Sequence, residues 1–252
     1  MKRFSERCEI WLGVLIMVVF PACKSGSGNV GQSVQQVLNA ISPSSQRDTL
    51  TQEELIGGLK DALKVGTEKA VALASQTDGF FKNPEIFIPW PPEAMEMKEK
   101  LLKLGFEKQV GEFELSLNRA AEEASKKAVP VFVQAITSMS IRDGWEILHG
   151  SDTAATNYFR KTTFQPLKNE FLPVVKNAIE SVKVTSYWNP LANAYNKIPG
   201  VKKVNPDLNE YTTVLAINGL MKLIAKEEAR IRKDPAARVT DLLKKVFGYK
   251  KS

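Results

Sequence analysis

From residue 51 onward the apolar positions recur every three or four residues, the period of an α-helix with one buried face. Leu55, Leu59, Ala62, Leu63, Ala70 and Leu73 form the first such row, and Asp78-Gly79 ends it. Thr51-Gln52-Glu53-Glu54 opens it as a capping box, in which Thr51 accepts from the backbone of Glu54 while the Glu54 side chain reaches back. Residues 83–92 break the period. Pro89, Pro91 and Pro92 deny that stretch a regular ladder, so it reads as an extended strap that turns Ile86, Ile88 and Trp90 toward the bundle. Pro92 then begins a helix ending near Leu104-Gly105. A long row follows at Leu117, Ala120, Ala121, Ala124, Ala128, Val131, Phe132 and Ala135, with Pro130 set to kink or divide it.

A shorter helix covers residues 141–148. Ser151 or Asp152 caps the next one, which carries Ala155, Tyr158, Phe159 and Thr162. Leu167, Phe171, Val174, Val175, Ala178 and Val182 mark another, kinked at Pro173. Residues 184–196 are short and aromatic, with Tyr187, Trp188 and Tyr195, and Ile198-Pro199-Gly200 is a turn. Pro206-Asp207 opens a strong helix with Val214, Ile217, Met221 and Ile224 on one face. Asp234-Pro235 restarts the chain into a last helix bearing Val239, Leu242, Leu243, Val246 and Phe247. No fixed-period repeat and no alternating strand pattern occurs. The expected fold is all-α: one bundle of roughly eight to ten helices with a proline-rich strap, spanning residues 49–249.

The N-terminus follows another rule. Lys2, Arg3 and Arg7 precede an apolar run over residues 10–20, and Pro21-Ala22-Cys23 follows. A membrane-spanning helix needs roughly 20 apolar residues; this run fits the core of a cleavable export signal, with a small residue before the cut. The arrangement resembles the lipobox of bacterial lipoproteins, in which the cysteine is acylated and becomes the mature N-terminus. Phe20 and Pro21 depart from the usual residues there. The expectation is a signal over residues 1–22, lipid on Cys23, and a Ser/Gly/Gln/Asn-rich tether over residues 23–48 with a short helix at 34–41. An ordinary secretory signal and an uncleaved anchor are the other readings. Lys24, rather than Asp, after the cysteine favours the periplasmic face of the outer membrane by analogy with lipoprotein sorting.

Composition narrows the chemistry. Hydrophobic residues make up 43% and charged residues 25%, ordinary for a globular protein. The formal charge of +7 drops to near +6 without the signal, and the cations are interleaved with Asp and Glu along the chain. No basic run carries interleaved aromatics, so nucleic acid is not an expected partner. Both cysteines, Cys8 and Cys23, lie in the export segment, which leaves the domain no disulfide, thiolate metal site or cysteine nucleophile. With His149 as the single histidine, multi-histidine metal sites are excluded. No cofactor is implied. Gly57-Gly58 lacks the strand, turn and lysine of a phosphate loop, and no nucleophile elbow surrounds a serine.

A few polar residues stand out. Steps of 100° per residue place Glu228 on the face of Ile217, Met221 and Ile224, where a carboxylate needs a partner. Arg232 is one turn on, and Arg238 can fold back from the next helix. The readings are a structural ion pair or a general base or ligand contact. Asn118 flanks the apolar row of its helix; Arg119 points away from it and pairs with Glu122 at the surface, or joins it in a site if another helix covers that face. Tyr158 reads as a packed tyrosine and His149 as a helix C-cap.

Several segments are similar in order to those of the domain of unknown function 4197 family. They are Asp78-Gly79-Phe80, Asn118-Arg119-Ala120-Ala121-Glu122, Ala154-Ala155-Thr156-Asn157-Tyr158-Phe159-Arg160, Gly219-Leu220, Glu227-Glu228, Ile231-Arg232-Lys233-Asp234-Pro235 and Val246-Phe247-Gly248. The resemblance implies a helical envelope domain and brings no activity, cofactor or catalytic residue. The function expected is a lipid-anchored, non-enzymatic binding or scaffolding module, with an envelope protein or apolar ligand as partner. Residues 87–90 and Tyr187-Trp188 either bound a groove for it or close the core. The alternative is a hydrolase built on two carboxylates among Glu122, Asp143, Asp152, Glu227 and Glu228.

Overall fold

The computed structural model describes residues 51–181, 203–205 and 207–238, with positions 188, 192–193, 196–197, 199–200 and 244. The chain divides into Met1–Asp48 and Thr49–Ser252, and the second unit is described below. The export segment with Cys23, the tether, most of residues 184–196 and, apart from position 244, the expected last helix from Val239 lie outside the described residues.

Seven α-helices and two 3-10 turns, with no strand, make up the described residues: an all-α fold. They are α1 (Gln52–Ser75), a 3-10 turn Pro92–Ala94 running into α2 (Met95–Lys103), α3 (Glu107–Ser125), α4 (Ala128–Thr137), α5 (Ile141–Leu148), α6 (Ala154–Glu180), α7 (Leu208–Lys233) and the turn Pro235–Ala237. Thr51 and Glu54 close the expected capping box of α1, with bonds of 3.2 and 2.8 Å. The expected row from Leu117 to Ala135 is divided rather than kinked. α3 stops at Ser125, and Pro130 sits in the first turn of α4, where a missing N–H costs nothing.

α6 is where the structure departs most from the sequence pattern. Two helices were expected between residues 151 and 182; one runs from Ala154 to Glu180 through both Pro166 and Pro173. Its buried residues Ala155, Phe159, Thr163, Leu167, Phe171, Val175 and Ile179 recur every four positions. Each such step gains about 40° on the helix period, so the row winds around α6 and meets α5, α4, α3 and α7. Phe159, Leu167, Phe171 and Val175 are wholly buried. Each contributes about 1.5–3 kcal/mol, against roughly 3 kcal/mol lost at an interior proline, so packing holds the helix through both. Among the described residues this merger removes one helix from the expected number, and the expected last helix lies outside them.

α7 crosses α6, α1 and α3. The strap crosses α7 at Gly219, where a β-carbon would stand 2.9 Å from the Phe80 ring and 3.1 Å from Ile86. Ile86, Ile88 and Trp90 are buried, as the pattern predicts. Trp90 packs on Phe113, ring centroids 4.2 Å apart, and Trp188 covers both. Trp90 and Trp188 are thus part of the core, and Tyr187 lies outside the described residues.

Candidate functional site

α6 starts without a cap of its own, since the Thr153 side chain makes no capping bond. The two expected caps are engaged elsewhere: Ser151 Oγ lies 3.4 Å from Thr153 Oγ1, and Asp152 pairs with Lys233 at 2.9 Å. Glu228 supplies the cap from α7. Its Oε1 accepts from the Ala155 N–H at 2.9 Å, and its Oε2 accepts from the Thr156 N–H at 2.9 Å and the Thr156 hydroxyl at 2.8 Å. Arg232 donates Nε and Nη2 to Oε1 at 3.1 and 2.8 Å, and the same Nη2 donates to the Ile147 carbonyl at 2.8 Å. The carboxylate thus meets the positive end of α6 while the guanidinium meets the negative end of α5. Glu228 is 8% exposed, and five donors fill its roughly four lone-pair positions. Arg238 folds back onto the end of α7, donating to the carbonyls of Ile231 and Arg232 at 3.2 and 3.0 Å.

A second buried cluster lies on α3. Asn118, fully buried, treats the strap as a strand would: its Oδ1 accepts from Ile88 N–H at 2.8 Å and its Nδ2 donates to Ile88 carbonyl at 3.0 Å and to Glu114 carbonyl at 2.8 Å. Glu122 Oε1 accepts from the N–H groups of Phe80 and Phe81 at 3.1 and 3.2 Å, at the turn after α1. Arg119 joins Glu122 Oε2 at 2.5 Å to Asp78 Oδ1 at 2.6 Å. The expected surface pair is therefore corrected. Glu122 is 4% exposed and its partners lie 41 and 42 residues back in the chain, because the turn folds over α3. Lys82 and Arg119 hold the Asp78 carboxyl below its ordinary range, and Asp78 keeps a left-handed φ of 66° while making both bonds.

Three hollows surround these clusters. The cleft beside Glu228 and Arg232, walled by Leu63, Gly66, Phe159 and Ile224, has about 20 Å³ of free space, room for one water. A polar hollow of about 450 Å³ is floored by Arg119 and Glu122 and walled by Thr77, Glu112, Glu123 and Lys126. Another of about 560 Å³ lies between Asp78, Lys82, Glu85, Leu223, Lys226 and Glu227. Of the five carboxylates in the candidate pool, Glu122, Glu227 and Glu228 line one hollow each, and none of these hollows holds two of them. Those lining the two polar hollows are also ion-paired: Glu112 with Lys108, Glu123 with Lys126, Glu85 with Lys226 and Glu227 with Arg230. Asp143 caps α5 through Ser140, whose side-chain bond holds its carboxyl below the ordinary range.

His149 ends α5, with Nδ1 3.1 Å from the Trp145 carbonyl and its ring stacked on Trp145. Tyr158 packs against Phe159 and donates to the Ala135 carbonyl at 3.1 Å; burial pushes its phenol up. The pattern does not reveal Asp78 as the third member of the Arg119 cluster, nor Tyr211, whose hydroxyl donates to the carbonyls of Pro89 and Trp90 at 3.2 and 3.3 Å. Burial raises that phenol to about 12. Among the described residues no group of three acidic, histidine or cysteine side chains is placed to hold a metal, and no helix is long and apolar enough to cross a membrane.

No curated relative and no solved structure matches the chain. The family model described as protein of unknown function (DUF4197) matches residues 49–248, which takes in both clusters and the strap, and the chain belongs to that family.

Proposed function

We propose that this protein is a lipid-anchored component of the bacterial cell envelope, and that its helical domain binds or scaffolds a partner without catalysing a reaction. One observation carries the non-enzymatic half: the most buried carboxylates, Glu122 and Glu228, accept three and five hydrogen bonds from backbone N–H groups, the Thr156 hydroxyl and arginines, and neither shares its hollow with a second carboxylate of the candidate pool. A general base needs the opposite, reach to a substrate proton. The two mixed-charge hollows beside the Asp78 turn support a polar docking surface for an envelope protein. Envelope location and the anchor rest on the basic, apolar and Cys23 layout of the N-terminus.

Metabolic labelling with radioactive palmitate tests the anchor. Label and membrane fractionation are expected in the native protein and lost in Cys23→Ser; equal labelling of both refutes the assignment. Crosslinking from native membranes with lipid attached then tests the docking surface. A partner bound to the polar hollows is lost when Lys82→Glu and Lys126→Glu are combined, both exposed positions. Turnover of an envelope glycan or phosphoester by the purified protein would overturn the non-enzymatic reading.

A further inference from the structure

The α2–α3 corner is the part of the domain that the core does not explain. From Met95 to Gln109 no residue is buried, and residues 102–109 are exposed without interruption. α2 packs on α3 through Met97 and Leu101 alone among its apolar side chains, and turns the others outward. Leu104 is 71% exposed, Phe106 42%, Met95 41% and Leu102 37%. Four of the six large apolar side chains exposed among the described residues thus fall within twelve positions. Gly105, at φ 84°, turns the chain between Leu104 and Phe106, and nothing lies within 4 Å of where its side chain would be. The feature is an exposed apolar tip of Leu102, Leu104 and Phe106 at the turn between α2 and α3, with Met95 two turns back along α2. Lys103 sits inside it and the exposed Glu107 follows Phe106, while Lys100 and Lys108 at its base pair with Glu96 and Glu112 at 2.7 and 3.9 Å. Long lysine stems of this kind lie along apolar surface while their ammonium groups stay at the polar boundary.

We infer that this tip dips into the headgroup and upper acyl region of the bilayer to which the protein is anchored. The inference deepens the anchored reading above and rests on it. Two observations select a bilayer over a protein. Leu102, Leu104 and Phe106 stand exposed around Gly105, with nothing of the domain near that glycine, as side chains suited to a soft apolar medium do. And 25 residues separate Cys23 from Thr49, a span that cannot exceed about 90 Å, so an anchored domain stays beside its own membrane at high effective concentration. Under that condition the weak insertion of a few apolar side chains suffices to orient the domain.

The test uses the full chain carrying Leu104→Cys, expressed with its signal and isolated in lipidated form. Acylation blocks the Cys23 sulfur and cleavage removes Cys8, so position 104 offers the single free thiol for an environment-sensitive fluorophore. In vesicles of phosphatidylethanolamine and phosphatidylglycerol, the emission should shift to the blue and be quenched by bromine-labelled lipid but not by iodide in the water. The same label at exposed Ile141→Cys should show the reverse. Iodide quenching at position 104 in protein whose palmitate label proves the anchor would overturn the inserted tip and leave the anchor standing. A missing palmitate label would overturn both. A blue shift already present without vesicles, accompanied by a doubled mass in sedimentation, would assign the tip to a second copy of this chain instead.

Discussion

Glu228 illustrates how one side chain completes two helices other than its own. Glu228→Ala leaves two N–H groups of α6 uncapped and strands Arg232, whose side chain is 12% exposed. Breaking one partner out of such a pair costs about 3–5 kcal/mol. Glu228→Gln keeps an acceptor and loses the charge, at about 1.5–3 kcal/mol. Urea unfolding should therefore rank native above Gln above Ala; a Gln variant as stable as the native protein would remove the structural role. Tyr211 makes a matching case at high pH. Its phenol is raised above its ordinary 10.0 to about 12 in the fold, so the hydroxyl's contribution is intact below pH 10 and is lost as the pH rises through about 12. Stability measured across that window should fall more steeply in the native protein than in Tyr211→Phe, and phenolate absorbance should show a late-titrating tyrosine missing from the variant.

At the scale of elements, the local signals were legible wherever a short piece of chain decides the outcome. Thr51 and Glu54 announce α1, and the prolines at 89, 91 and 92 announce the strap with its three inward side chains. The same reading fails at α6, because Pro166 and Pro173 are local breakers overruled by a buried row that only the folded neighbours create. It fails again at the start of α6, where a cap from 72 residues away replaces Ser151 and Asp152. The strap itself depends on Asn118. Asn118→Leu keeps the branching at Cγ but leaves the buried N–H and carbonyl of Ile88 unpaired, at about 2–4 kcal/mol. Limited proteolysis should then cut within residues 83–92 well before the rest of the domain; an unchanged cleavage pattern would show that the strap is held by its apolar side chains alone.

For the whole molecule, periodicity conveys an all-helical bundle but not which ends meet. Glu228 could be placed on the buried face of α7 from spacing alone, and Arg232 beside it. Asp78, Phe80 and Phe81 could not be placed on Glu122, because they converge only when the turn after α1 closes over α3. The Glu228–Arg232 pair therefore carries a sense of direction that an ordinary ion pair lacks. Its anion faces where one helix begins and its cation faces where another stops. Exchanging the two charges in a Glu228→Arg, Arg232→Glu double variant keeps the mutual attraction and inverts both alignments. Such a swap should fail to rescue either single replacement in thermal melts. The two positions are thereby barred from trading places, and the polarity of three helices is written into the order of two side chains.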